Sequence, residues 1–138
     1  MRLVLFLSYV LLTHGLAPCP GDTRGDRRCN KDSTHRVCAS IGGTSFWEFT
    51  GQASWCGTVG SYGGPHGDEA RCPAEAPTWC ICKWAFARWA QDQCDRVHID
   101  CEATDVCDMR ASYVDYGVSL REAQVCLESK CPMQWAAC

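Results

Sequence analysis

Thirteen cysteines in 138 residues limit what this chain can fold into more than any other feature of it. They are Cys19, Cys29, Cys38, Cys56, Cys72, Cys80, Cys82, Cys94, Cys101, Cys107, Cys126, Cys131 and Cys138. At that density in an exported chain the sulfurs read as a disulfide framework, because bridges form and persist where the compartment is oxidising. Each native bridge contributes ~2–4 kcal/mol, so several together match the ~5–15 kcal/mol net stability of a whole domain. All thirteen are therefore disulfide candidates, and cross-links are expected to hold the shape more than a large apolar interior does. The count is odd, so at least one thiol is free, bridged to another chain or otherwise engaged.

Export is legible at the start of the chain. Arg2, an apolar run from Leu3 to Leu12, and the small residues Gly15 and Ala17 have the layout of a secretory signal peptide over residues 1–17, with cleavage after Gly15 or Ala17. The run is shorter than the ~20 apolar residues a bilayer-spanning helix needs, and no membrane span is expected after the signal is removed. Without Arg2 the chain keeps 12 of its 13 basic residues against 16 acidic ones, a formal charge of −4. Nucleic acid and anionic membranes are bound through clustered positive charge, so neither is an expected partner. What remains, residues 18–138, is the size of one domain, secreted or held in the lumen of an oxidising compartment.

Local patterns predict an α+β domain with a short sheet and three to four helices. Residues Pro18 to Asp32 are polar and turn-rich and read as a tethered loop, followed by a strand at His35-Arg36-Val37-Cys38-Ala39. Ser45 with Glu48 is a capping box for a helix carrying Phe46, Trp47 and Phe49. Six glycines between Gly51 and Gly67 abandon regular structure for a long surface loop, pinned by Cys56 and Cys72. A helix then runs from Cys82 to about Cys94, burying Ala85, Phe86, Trp89 and Ala90 and exposing Lys83, Arg88, Gln91 and Asp92. Trp84 falls off that stripe, four residues before Arg88, with which it can form a cation–π pair. Arg96 to Glu102 alternates as a half-buried strand. Thr104 is the expected cap of a helix over about Asp105 to Tyr113, and Ser119 with Glu122 that of a helix ending near Lys130.

Taken in order, Thr34-His35-Arg36-Val37-Cys38-Ala39, the helix with Phe46 and Phe49, Trp79-Cys80-Ile81-Cys82, the segment Val97 to Glu102-Ala103-Thr104, and Val118-Ser119-Leu120 resemble domain-of-unknown-function family 2237. That family comprises small uncharacterised proteins of bacteria, algae and plants, and the resemblance covers about residues 34–127. The chain departs from the pattern where the Arg-Trp pair is displaced to Arg88-Trp89 and where Asp105 replaces the histidine that usually follows Glu-Ala-Thr. A signal peptide and so many cysteines are also unusual there, so the chain resembles an exported, cysteine-rich relative. The resemblance implies a compact α+β fold and supplies no activity.

Several constellations are candidates for chemistry. His35, Cys38, Cys80 and Cys82 provide one imidazole and three thiols, the ligand set of a structural zinc site, although export favours bridges over metal and no cofactor is expected. A thiolate beside an imidazole is an activated nucleophile, which makes the His35/Cys38 region, or another reactive cysteine, the enzymatic alternative. On a regular strand, however, His35 and Cys38 face opposite sides. His98, Asp100 and Glu102 share a strand face and could supply an acid or base, though a solvated face accounts for them equally. Arg24-Gly25-Asp26 is a potential displayed recognition loop. Trp55, Tyr62 and His66 on the glycine-rich loop, with Trp84, are the candidate binding residues, since aromatics on polar segments stack on ligands or enter a partner's groove. The reading is a disulfide-stabilised binding or structural component, with a protein partner, an assembly or a small polar ligand, and with the odd cysteine available for an intermolecular bridge.

Overall fold

The computed structural model describes residues 15–22, 24–40 and 78–138. The expected capping box at Ser45, the Gly51 to Gly67 loop with Trp55, Tyr62 and His66, the Cys56/Cys72 pin and residues 1–14 of the expected leader lie outside them.

Short β-branched and cysteine-containing stretches form the expected sheet. β1 (His35–Ser40) is its centre, flanked by antiparallel β2 (Thr78–Cys82) and the two-residue β3 (His98–Ile99). Period-two alternation separates two layers. Val37, Ala39, Trp79 and Ile81 join the apolar core, while Cys38 and Cys80, opposite each other in the ladder, join a cluster with Cys19, Cys29 and Ala103. The cysteines of that second layer are bridged, Cys19 to Cys38 and Cys29 to Cys80, which ties the N-terminal loop down over the sheet as a covalent lid. The loop is also hydrogen-bonded in place, Ala17 N donating to Glu102 O at 3.0 Å and Cys19 N to Arg27 O at 2.7 Å.

The apolar layer is completed by helices. α1 (Lys83–Gln93) follows β2 without a break and buries Ala85, Phe86, Trp89 and Ala90, as its periodicity predicts. It packs against α3 (Arg121–Lys130), whose Ala123, Cys126 and Leu127 are buried with Leu120, and Cys94–Cys126 joins the two helices covalently. Phe86, Met109, Leu120 and Leu127 are fully enclosed, and burying each such side chain stabilises by ~1.5–3 kcal/mol. Two further bridges, Cys101–Cys131 and Cys107–Cys138, fasten the C-terminal part, so five disulfides are formed among the described residues. These are the mixed α+β class and the stapled architecture expected, and bridges in this number suggest an oxidising environment. No helix of the described residues is long and apolar enough to cross a membrane.

Four local expectations are corrected. The strand over Arg96 to Glu102 shrinks to β3: Cys94–Arg96 forms a 3₁₀ turn, and the Asp100 carboxylate accepts from Ala103 N at 3.1 Å, folding the chain into a turn. Thr104 is not a helix cap; its buried hydroxyl accepts from Cys38 N at 3.0 Å and donates to Asp100 O at 2.8 Å, so Asp105 caps α2 (Val106–Ala111) instead. Ser119 lies in a hairpin, β4 (Val114–Asp115) with β5 (Val118–Ser119), so the helix after it starts at Arg121 with Leu120, not Ser119, at its cap position. Lys83, expected in solvent, is 6% exposed, because its ammonium finds Asp108 at 3.0 Å and Ser112 Oγ at 3.1 Å. Beyond Cys131, Pro132 opens the short α4 (Pro132–Ala137), a position where its missing N–H costs nothing.

Candidate functional site

Where β1 begins, its ladder is irregular. From Val37 to Ser40 each residue faces its regular partner on β2, but His35 faces Cys82, one residue out of step, so His35 and Arg36 together share a single position. This is a β-bulge, and a bulge re-aims the side chains on either side of it. Strict alternation puts His35 with Val37 and Ala39 on the core face; the extra residue brings it opposite Cys82, beside the same cavity. Arg36, the extra residue, is held by an ion pair with Asp105 at 2.6 Å, and its carbonyl accepts from Asp105 N at 2.9 Å.

That cavity has a volume of about 440 Å³ and is bordered by Thr34, His35, Cys82, Trp84, Arg88, Tyr116 and Val118. The volume falls in the range of small-molecule sites. The strand ends supply the floor. The first turns of α1 supply one wall, where the Arg88 guanidinium lies over the Trp84 ring, 5.3 Å from its centroid, as the spacing of the two residues predicts. The β4–β5 hairpin supplies the other. Its turn residues Tyr116 and Gly117 both have positive φ, 46° and 74°. Glycine accepts this freely, whereas a tyrosine is strained by ~1 kcal/mol or more, and such strain gathers at functional sites. Tyr116 is nonetheless 81% exposed, with no packing on the core to hold it there.

The hairpin is anchored by Asp115, whose carboxylate accepts from the Thr34 hydroxyl at 2.6 Å and from Trp84 N at 3.3 Å. It thereby ties β1 and hairpin together and supplies the N-terminus of α1 with the side-chain acceptor that its own cap residue, Cys82, lacks.

Cys82 is half-buried and is the unbridged cysteine of the described residues. Burial pushes its thiol pKa up; the Thr34 hydroxyl pulls the other way, and the Asp115 and Asp32 carboxylates raise it further, so the group rests as a neutral thiol. Beside it the His35 Nδ1 stands 2.7 Å from the Asp32 carboxylate. Burial pushes Asp32 up, but the backbone N–H groups of His35 and Thr34 and the imidazole outweigh it and bring the carboxyl down to about 2. An ionised Asp32 only accepts, so Nδ1 is the donor in this contact. Asp32 and His35 are thus paired, and His35 and Cys82 both border the cavity.

The other candidates are placed elsewhere or otherwise engaged. Of the expected metal set, Cys38 and Cys80 are consumed by bridges, leaving His35 and Cys82 without the two further thiolates a closed zinc site needs. The sulfurs of Cys19, Cys29 and Cys38 do gather within 4.8 Å, but as disulfides. Of the pair His35 and Cys38, the sulfur is bridged to Cys19, and the cysteine that faces His35 across the ladder is the unbridged Cys82. His98 is exposed, Asp100 closes its turn and Glu102 accepts from Gln134 Nε2 at 2.6 Å, so the three do not converge. Arg24-Gly25-Asp26 is not a free display: Arg24 pairs with Asp22 at 2.6 Å and lies over Trp79, and Asp26 pairs with Lys31 at 2.8 Å. Of the four binding candidates Trp84 borders the cavity, while Trp55, Tyr62 and His66 are not among the described residues. Sequence reading does not single out Asp32, Thr34, Tyr116 and Val118 as site residues, although it places a turn at Asp115 to Gly117, where the hairpin turns.

Comparison with family models, with curated proteins and with solved structures finds no match to this chain.

Proposed function

We infer that this disulfide-stabilised domain is a secreted or lumenal binding component, whose contact site is the cavity between α1 and the β4–β5 hairpin and whose ligand is a small polar molecule bearing a planar or anionic group. The observation that carries this is Tyr116. A residue that strains its own turn, contributes nothing to the core and stands at the mouth of a cavity is accounted for by contact with something outside the chain. The Trp84 ring with Arg88 over it offers a stacking face and a cation, Thr34 and His35 offer polar atoms, and Val118 an apolar contact. Export rests on the N-terminal pattern and agrees with an interior held by bridges. Kinship with domain-of-unknown-function family 2237 remains a proposal carried by the motif order alone.

The test is ligand-observed NMR of the oxidised protein against a set of small aromatic and aliphatic carboxylates. Line broadening that disappears in Trp84→Ala, with the amide spectrum of the α1–α3 core unchanged, is the expected result. A set in which nothing binds, or binds equally well to Trp84→Ala, overturns the assignment of the cavity as the site.

A further inference from the structure

Among the described bridges, Cys107–Cys138 differs from the rest in where its sulfurs lie. Cys19–Cys38 and Cys29–Cys80 are buried at both ends, and Cys94–Cys126 and Cys101–Cys131 at Cys126 and Cys131, whereas Cys107 and Cys138 are both exposed. An attacking thiol must reach a sulfur, so an exposed bridge is the labile one.

The bridge also holds an element that packs weakly. It joins α2 to the residue that follows α4, a six-residue helix with no buried residue. A helix of that length does not persist alone in water, so α4 depends on its anchors. At its start Cys131 is buried and bridged to Cys101. Along its length the Arg110 guanidinium donates to Trp135 O at 2.6 Å and lies over the ring, and Gln134 Nε2 donates to Glu102 at 2.6 Å. Both hydrogen bonds are at the exposed surface, where water competes for the same groups. At its end stands Cys107–Cys138, and between the two ends Trp135 is half-buried against the apolar core.

The rest of the fold does not depend on this bridge. Cys101–Cys131 already joins the same two stretches of chain, with Cys107 six residues beyond Cys101 and Cys138 seven beyond Cys131. The outer bridge therefore closes only a short additional loop, and the entropy that a bridge removes from the unfolded chain grows with loop length.

We propose that Cys107–Cys138 is a thiol-exchange site, a clasp that an external dithiol opens while the other described bridges stay closed, releasing α4 and uncovering Trp135. The site uses no residue of the cavity and stands or falls apart from it. In the step, one thiolate of the dithiol attacks Cys138 Sγ on the loosely packed side of the bridge. A mixed disulfide forms as the Cys107–Cys138 bond breaks, and Cys107 leaves as a thiolate that takes a proton from water. The second thiolate of the dithiol then displaces Cys138, which is protonated in turn. The bridge is reduced to two thiols and the dithiol is oxidised to its own disulfide, so two electrons pass between them and no other reductant enters.

Differential alkylation of the oxidised full-length protein tests the proposal. Thiols free at the start are blocked with N-ethylmaleimide, dithiothreitol is added in steps, and newly released thiols are labelled with iodoacetamide and located by peptide mapping. Cys107 and Cys138 are expected to label together, at a dithiothreitol concentration at least ~10-fold below the one that opens any other described bridge. At that concentration the indole signal of Trp135, identified by its loss in Trp135→Phe, shifts in a proton–nitrogen correlation spectrum, while the amides of β1, β2 and α1 keep their positions. The double variant Cys107→Ser with Cys138→Ser is expected to fold, to lack the early reduction and to show the shifted Trp135 signal without reductant. Opening of another described bridge first, or of all together, overturns the proposal. So does an early reduction that leaves the Trp135 signal in place, which makes the bridge an inert surface cross-link. Failure of the double variant to fold contradicts the clasp as well, because the fold then depends on it.

Discussion

Asp22 shows how much of this fold hangs on single polar side chains. It is 2% exposed and accepts from Arg24 N at 2.8 Å, from the Arg24 guanidinium at 2.6 Å and from Cys80 N at 3.1 Å, so one carboxylate joins the N-terminal loop to β2. Burial alone would raise its pKa; the bonds from Arg24 and Cys80 prevail and lower it. A carboxylate depressed in the folded state contributes stability that is complete above its unfolded value of 3.8 and is lost as pH falls below it. Asp22→Asn is therefore expected to lose about 1.5–3 kcal/mol at neutral pH, the worth of hydrogen bonds to a charged group. Thermal melts as a function of pH should show its deficit closing in acid, as the wild type gives up the same contribution. Nothing in the sequence around Asp22 announces this role, because its key partner, Cys80, is 58 residues away.

Among the elements, those with a clear period were legible. The alternation of His35 to Ala39 and the three-and-four spacing of α1 each followed from local sequence, and the apolar line Leu120, Ala123 and Leu127 placed α3. The bulge was not legible, since a bulge is a property of two strands and only the register with Cys82 reveals it. For that reason the sequence pairs His35 with Cys38, on the same strand, whereas the residue facing it across the ladder is Cys82. Caps failed where tertiary contacts claimed the side chain, as Cys38 did Thr104. The hairpin carries its own prediction. Asparagine tolerates the left-handed region better than tyrosine, so Tyr116→Asn is expected to raise stability by ~0.5–1 kcal/mol in chemical denaturation while weakening ligand binding at the cavity. Gly117→Ala at φ 74° meets no steric obstacle but adopts a strained backbone, and is expected to lose ~1 kcal/mol.

At the scale of the whole molecule, cysteine content foretold that bridges would form but not who pairs with whom, because connectivity depends on which segments the fold brings within about 6 Å. The pairs found sort into two groups. Cys19, Cys29, Cys38 and Cys80 bridge only among themselves, and so do Cys94, Cys101, Cys107, Cys126, Cys131 and Cys138. Reduction is expected to unfold the domain, since the apolar layer is small, and a circular-dichroism melt unchanged by strong reductant would contradict that. The partition has a subtler effect. Peptide bonds between residues 80 and 94 are the sole covalent link from one group to the other, because every described cysteine on the C-terminal side is already spoken for within its own group and Cys82 is unbridged. A single tryptic nick after Arg88 would then leave two separately stapled fragments, adherent through the packing of Phe86, Leu120 and Leu127 and parting in denaturant with every disulfide intact, so that one severed backbone amide divides the molecule in a way no amount of oxidation prevents.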